Sequence, residues 1–218
     1  MPGKITALEV QKRNKERVNV YLDGEYAFSL ALIEAAHLQR GQVLSDAEIA
    51  ELQARDAVER ALDQAVRFLS YRPRSVSEIR RNLKEKGVEA PVIDQVVARL
   101  ESLGYVDDLA FARYWVRNRD EFRPKGPLAL RQELRQKGVS NRIIAQALEE
   151  VDFADAAYRA ARQQARRWQG LDRQRFREKL YPYLARRGFL AETCYDVIDR
   201  LVEELEIPEP EHFDNDDW

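Results

Sequence analysis

The 218-residue chain carries 36 Lys or Arg against 38 Asp or Glu, a near balance that conceals an asymmetry. Val202 to Trp218 holds eight acidic residues and no Lys or Arg, whereas Phe111 to Leu190 holds nineteen Lys or Arg against nine Asp or Glu. The single cysteine, Cys194, excludes an intramolecular disulfide, and no apolar run approaches the roughly 20 residues that span a bilayer.

A basic body suits a polyanion or an acidic protein surface. The opening "MPGKITALEV" lacks an apolar signal-peptide core, so a cytoplasmic protein without membrane contact is expected.

The first element is β. "RVNVYLDGEYAFSL" alternates apolar and polar residues on both sides of Asp23-Gly24, a pair suited to the φ > 0 positions of a tight hairpin turn. Val18, Val20 and Leu22 are predicted to share a face with Tyr26 and Phe28, and "KITALEV" to add a third strand through the polar "QKRNKE". Ser45 with Glu48 then forms a capping box, opening a helix from about Asp46 to Ser70.

Next, the chain repeats itself. Tyr71–Val88 and Phe122–Val139, offset by 51, share seven of eighteen residues: Arg72/Arg123, Pro73/Pro124, Arg80/Arg131, Leu83/Leu134, Lys86/Lys137, Gly87/Gly138 and Val88/Val139. A third copy follows at an offset of 101, where Leu184 and Gly188 answer Leu83 and Gly87. Downstream of each lies one apolar helical face: Val92, Ile93, Val96, Val97, Leu100; then Ile143, Ile144, Ala147, Leu148, Val151; then Thr193, Cys194, Val197, Ile198, Leu201.

Each copy reads as three helices. The first helices are Val58–Ser70, Leu109–Asp120 and Ala154–Trp168; the second carry Ile79/Leu83, Leu130/Leu134 and Leu180/Leu184. Ser75 with Glu78 is a capping box, and at the aligned place Gly126 precedes Pro127, a residue favoured in the first helical turn. Gly87, Gly138 and Gly188 are predicted left-handed helix ends, with Leu83/Val88, Leu134/Val139 and Leu184/Phe189 touching across each. Gly104 stops the third helix of the first copy, and Asp107 or Asp108 caps the next. These caps explain "KGV" without a function.

The expected fold is therefore mainly α: three tandem three-helix repeats in an elongated curved array behind a small N-terminal three-stranded β domain. The divisions are residues 1–56 for the β domain and a short helix, 57–106, 107–152 and 153–207 for the repeats, and 208–218 for an acidic disordered tail.

Catalysis finds little support. The only histidines, His37 and His212, lie in unrelated segments, and Cys194 falls on an apolar stripe. Phosphate-binding glycine motifs are missing, so no metal or cofactor is expected and the chain is not expected to be an enzyme. Trp115 and Trp168 lie on first helices and are read as packing residues.

The third helices do not suit a DNA groove. Away from the apolar stripe they show Asp94, Gln95, Ala98, Arg99 and Glu101, then Arg142, Ala145, Gln146, Glu149 and Glu150, faces that phosphates would repel rather than anchor. Basic residues gather instead on the second helices and their lead-ins: Arg72, Arg74, Arg80, Arg81 and Lys84; Arg123, Lys125, Arg131, Arg135 and Lys137; Arg173, Arg175, Arg177, Lys179, Arg186 and Arg187. One basic stripe per repeat points to a long contact surface.

"LSYRPRSVSEIRRNLKEKGV", "VIDQVVARLESLGYVDDLAFARYWVRNR" and "PKGPLALRQELRQKGV" resemble the RecX regulatory proteins, bacterial modulators of the RecA recombinase. The likeness runs from about Ala61 to Leu205, and "ITALEVQKRNKERVNVYLDGEYAFSL" is similar to the extension of longer members. It implies a chain of tandem three-helix repeats that binds along a RecA filament on single-stranded DNA, in recombination and repair; a monomer is expected. It further implies inhibition of strand exchange, ATP hydrolysis and coprotease activity, direct contact with single- or double-stranded DNA, and no catalytic residues. Gln174 in place of the proline and Phe189 in place of valine set the third copy apart. A DNA-binding or transcriptional module acting without RecA, and a purely structural scaffold, remain alternatives.

Overall fold

The computed structural model describes residues 2–168 and 170–207. The expected acidic tail, 208–218, lies outside the described residues. The chain divides into two compact units: Met1–Arg72 with Ile79–Tyr105, and Pro73–Glu78 with Val106–Trp218.

In the first unit, β1 (Gly3–Val10), β2 (Arg17–Leu22) and β3 (Glu25–Ala31) form the expected antiparallel meander. Asp23 and Gly24 both take φ > 0, at 50° and 93°, and Leu22 pairs with Glu25 across the two-residue turn. After the short α1 (Leu32–Ala35), a fourth strand, β4 (Val43–Leu44), pairs with β1 and gives the order β3-β2-β1-β4. Two residues are too few to write a period into the sequence, so the expectation of three strands fell one short.

The shared apolar face also differs from expectation. Val18, Val20 and Phe28 are buried, but an irregularity after Val20 changes the register and leaves Tyr26 58% exposed, edge-on to Tyr21. One extra residue in a strand flips every side chain beyond it.

The sheet is anchored to α2 (Asp46–Leu69), whose Ser45/Glu48 capping box is formed as expected. Ile49 and Leu52 pack on the sheet's apolar cluster. Beside them Asp56, buried, accepts from Arg17 Nη1 and Nη2 at 3.2 and 3.0 Å, from the Ala31 N–H at 2.9 Å and from Arg60 Nε at 3.0 Å. Farther along, α2 packs on α4 (Ala90–Ser102). Ala61 and Ala65 are buried in this unit, as are Ile79 and Leu83 of α3 (Val76–Glu85) and Ile93, Val96, Val97 and Leu100 of α4.

The second unit holds α5 (Asp108–Phe122), α6 (Pro127–Gln136), α7 (Asn141–Leu148), α8 (Phe153–Ala165), α9 (Arg173–Arg186) and α10 (Ala191–Glu204). Phe111, Val116, Leu130, Leu134, Ile144 and Leu148 make one apolar cluster of α5–α7. Phe176, Leu180, Leu184, Cys194, Ile198 and Leu201 belong to another, of α8–α10, and Phe153 touches both. Burial raises the Cys194 thiol's pKa, as suits a packing residue. α9 has fourteen residues where α3 and α6 have ten; its additional first turn, capped by Asp172, carries the buried Phe176.

Candidate interaction surface

The second helices end as their sequences demand. Gly87, Gly138 and Gly188 take φ of 78°, 76° and 83°, and the N–H groups of Val88, Val139 and Phe189 reach back to the carbonyls of Leu83, Leu134 and Leu184 at 3.1, 3.1 and 3.3 Å. Gly104, at φ 71°, ends α4. Asp107 caps α5 through the N–H groups of Leu109 and Ala110, whereas the neighbouring Asp108 accepts from the Val76 N–H at 2.9 Å and so serves the start of α3.

Two of the glycines also meet another helix start, a role that sequence reasoning missed. The Ser75 hydroxyl accepts from the Glu78 N–H at 3.1 Å and donates to the Lys137 carbonyl at 2.6 Å. A Cβ on Gly138 would fall 2.3 Å from the Ser77 side chain. At the next joint the N–H groups of Gly126 and Leu128 donate to the carbonyls of Arg187 and Gly188 at 2.9 and 3.1 Å, and Gly188 lies against Ala129. The one available signal was the run of small residues, Ser75, Ser77, Gly126 and Ala129, at helix starts. Gly87 has nothing within 4 Å of its absent side chain.

The cations gathered by sequence separate into paired and unpaired sets. In the first unit Arg81 and Lys84 are exposed and carry no ion pair among the described residues, Arg80 bridges to Asp94 of α4, and Arg72 is half-buried. In the second, Arg74 is half-buried, and Arg131 is exposed with no ion pair among the described residues. Arg135 donates to Asn141 Oδ1 at 2.9 Å.

Lys125 and Lys137 point inward. Lys125 and Arg119 both bridge to Glu133, which also accepts from the Trp115 indole at 2.7 Å; Lys137 bridges to the buried Glu78 at 2.9 Å and stands over the Trp115 ring. Burial would raise the Glu133 carboxyl's pKa, but the bonds from Lys125 and Trp115 and the charges of Lys125 and Arg119 outweigh it and hold it below 4.5. Trp115 is thus half-buried at the edge of its core.

In the third set, Arg175 and Arg177 pair with Asp172 and Asp199 at 3.5 and 2.7 Å, while Lys179 and Arg186 are exposed and carry no ion pair among the described residues. Arg173 is half-buried. Arg187 donates to the Pro124 carbonyl at 3.0 Å and covers the Tyr183 ring. The described residues contain no cluster of His, Cys, Asp or Glu fit for a metal ion, and none of their helices is long and apolar enough to cross a membrane.

Tandem three-helix units that follow an antiparallel sheet along the chain, with exposed cations recurring on each second helix, define a helical repeat protein that presents surface. The chain belongs to the RecX regulatory protein family. Family models match at residues 3–45 (regulatory protein RecX N-terminal domain), 61–100 (RecX, first three-helix domain) and 107–148 (RecX, second three-helix domain). Regulatory protein RecX of Bacillus pumilus is 35% identical over 92% of this chain and 76% of its own length, and that of Bacillus subtilis 34% over 93% and 77%. A crystal structure of regulatory protein RecX superposes with a TM-score of 0.74 at 32% identity, over 91% of this chain and 99% of that one.

Proposed function

We propose that this chain acts as a single, non-enzymatic regulator that binds the RecA filament and lowers its strand-exchange, ATPase and coprotease activities, with direct contact to the DNA inside it. Family membership supports the partner. The observation that carries the surface is the recurrence, on successive second helices, of exposed cations that make no ion pair among the described residues: Arg81 and Lys84, Arg131, then Lys179 and Arg186. Paired cations are already neutralised; these retain their charge for an acidic partner.

The reading of a helix-turn-helix module acting without RecA is disfavoured by the third helix of the first copy, α4, whose exposed face carries Asp94 and Glu101 where phosphates would have to lie. The test is RecA-catalysed, DNA-dependent ATP hydrolysis with rising amounts of the protein. Inhibition with cosedimentation on filaments is expected; the absence of both would overturn the reading.

A further inference from the structure

Between the end of α5, α8 and α9, within the second unit, lies a polar cavity of about 410 Å³ lined by Phe122, Arg123, Gln163, Arg167, Tyr183 and Arg187 among others, with no carboxylate in its wall among the described residues. Three arginines therefore line one space without an acidic counterpart among the described residues. Arg123 and Arg167 are exposed and carry no ion pair among the described residues, and Arg187 is held in place by its bond to the Pro124 carbonyl and its seat on the Tyr183 ring. Phe122 is 68% exposed, an aromatic face left in water beside the cations.

We infer that this cavity is a subsite for one nucleotide of a single strand, its base on Phe122 and its flanking phosphates on Arg123, Arg167 and Arg187. Guanidinium forks suit phosphate oxygens. An exposed ring suits a base that is not already stacked in a duplex, and Gln163 offers both donor and acceptor to base edges. The volume lies in the range of small-ligand sites, whereas bare phosphate would leave much of it empty. An acidic peptide would satisfy the arginines but leave the ring unused. The first repeat opens with the same order of types, Tyr71-Arg72-Pro73, and Tyr71 is 83% exposed.

The inference rests on the reading above for the presence of DNA, and its own content is the place and the strand. The experiment is fluorescence anisotropy of a labelled oligothymidylate with the full chain across a salt series. Phe122→Ala should weaken binding by about tenfold while leaving an abasic oligomer of the same length unaffected. Arg123→Gln with Arg167→Gln should flatten the slope of log affinity against log salt by about 1.4, the share of two single-strand phosphate contacts. All three side chains are exposed, so the helical circular dichroism should stay that of the parent.

The inference is overturned if both variants keep the parent's affinity and slope, if duplex of equal length loses as much as oligothymidylate, or if polyglutamate binds the parent more tightly than oligothymidylate does. The two readings fail separately. If the variants lose oligothymidylate binding while the parent protein leaves RecA's ATPase untouched, the subsite stands and RecA regulation falls. If the parent inhibits RecA but the variants bind oligothymidylate normally, the subsite falls and RecA regulation stands.

Discussion

Gly126 and Gly188 approach so closely that a Cβ on Gly126 would lie 2.1 Å from the Gly188 carbonyl oxygen. Gly126 has an ordinary φ of −77°, so its need for glycine is close approach alone, whereas Gly87, at φ 78° with open space around it, needs glycine for its backbone alone. Gly188 combines both demands, since its φ is 83° and Ala129 lies against it.

These three positions make a graded test. Gly87→Ala is expected to destabilise by about 1 kcal/mol, the cost of a left-handed alanine. Gly126→Ala should cost about 2 kcal/mol through overpacking, and Gly188→Ala more than either. Urea unfolding of the three variants checks the order; equal losses would show that the joint does not depend on close approach.

Asp56→Ala should be the most damaging change in the first unit, with a loss of about 3 kcal/mol or more, because Arg17 would be left beside the sheet without its charge partner. Ser45→Ala, at an exposed cap on the same helix, should cost about 1 kcal/mol. Thermal unfolding of the two variants measures the contrast.

Glu133 provides a pH signature. Its folded pKa lies below the ordinary 4.5, so its stabilising contribution is fully present above that value and is lost as pH falls through the depressed one. Chemical denaturation of wild type and Glu133→Gln should therefore give a stability gap at pH 7 that closes below about pH 4.5. A gap independent of pH would mean that the charge of Glu133 is not what stabilises the fold there.

Reversing Arg81, Arg131 and Lys179 to Glu together should raise the concentration needed to inhibit RecA's ATPase by about tenfold, while unfolding changes little, since none of the three makes an ion pair among the described residues. Lys125 and Lys137 are poor choices for this experiment, because their reversal would strike Glu133 and Glu78. Inhibition unchanged by the triple reversal would remove the cationic helices from the interface.

What the sequence by itself determined is what a few neighbouring residues decide. The Asp23-Gly24 turn, the Ser45 and Ser75 caps, the glycine helix ends and the apolar stripes through Leu100, Leu148 and Leu201 follow from dihedral preference and helical period, which act within a turn or two. Family likeness was legible for the same reason, because the repeats restate those signals at a fixed interval. Only the tertiary structure decided the rest. A bulge turned Tyr26 outward, Asp56 found Arg17 thirty-nine residues away, and Lys137 met Glu78 across fifty-nine. It likewise chose which basic residues spend their charge on a carboxylate and which keep it. Such pairings depend on where whole helices come to rest, and the period of a single helix carries no record of its neighbour.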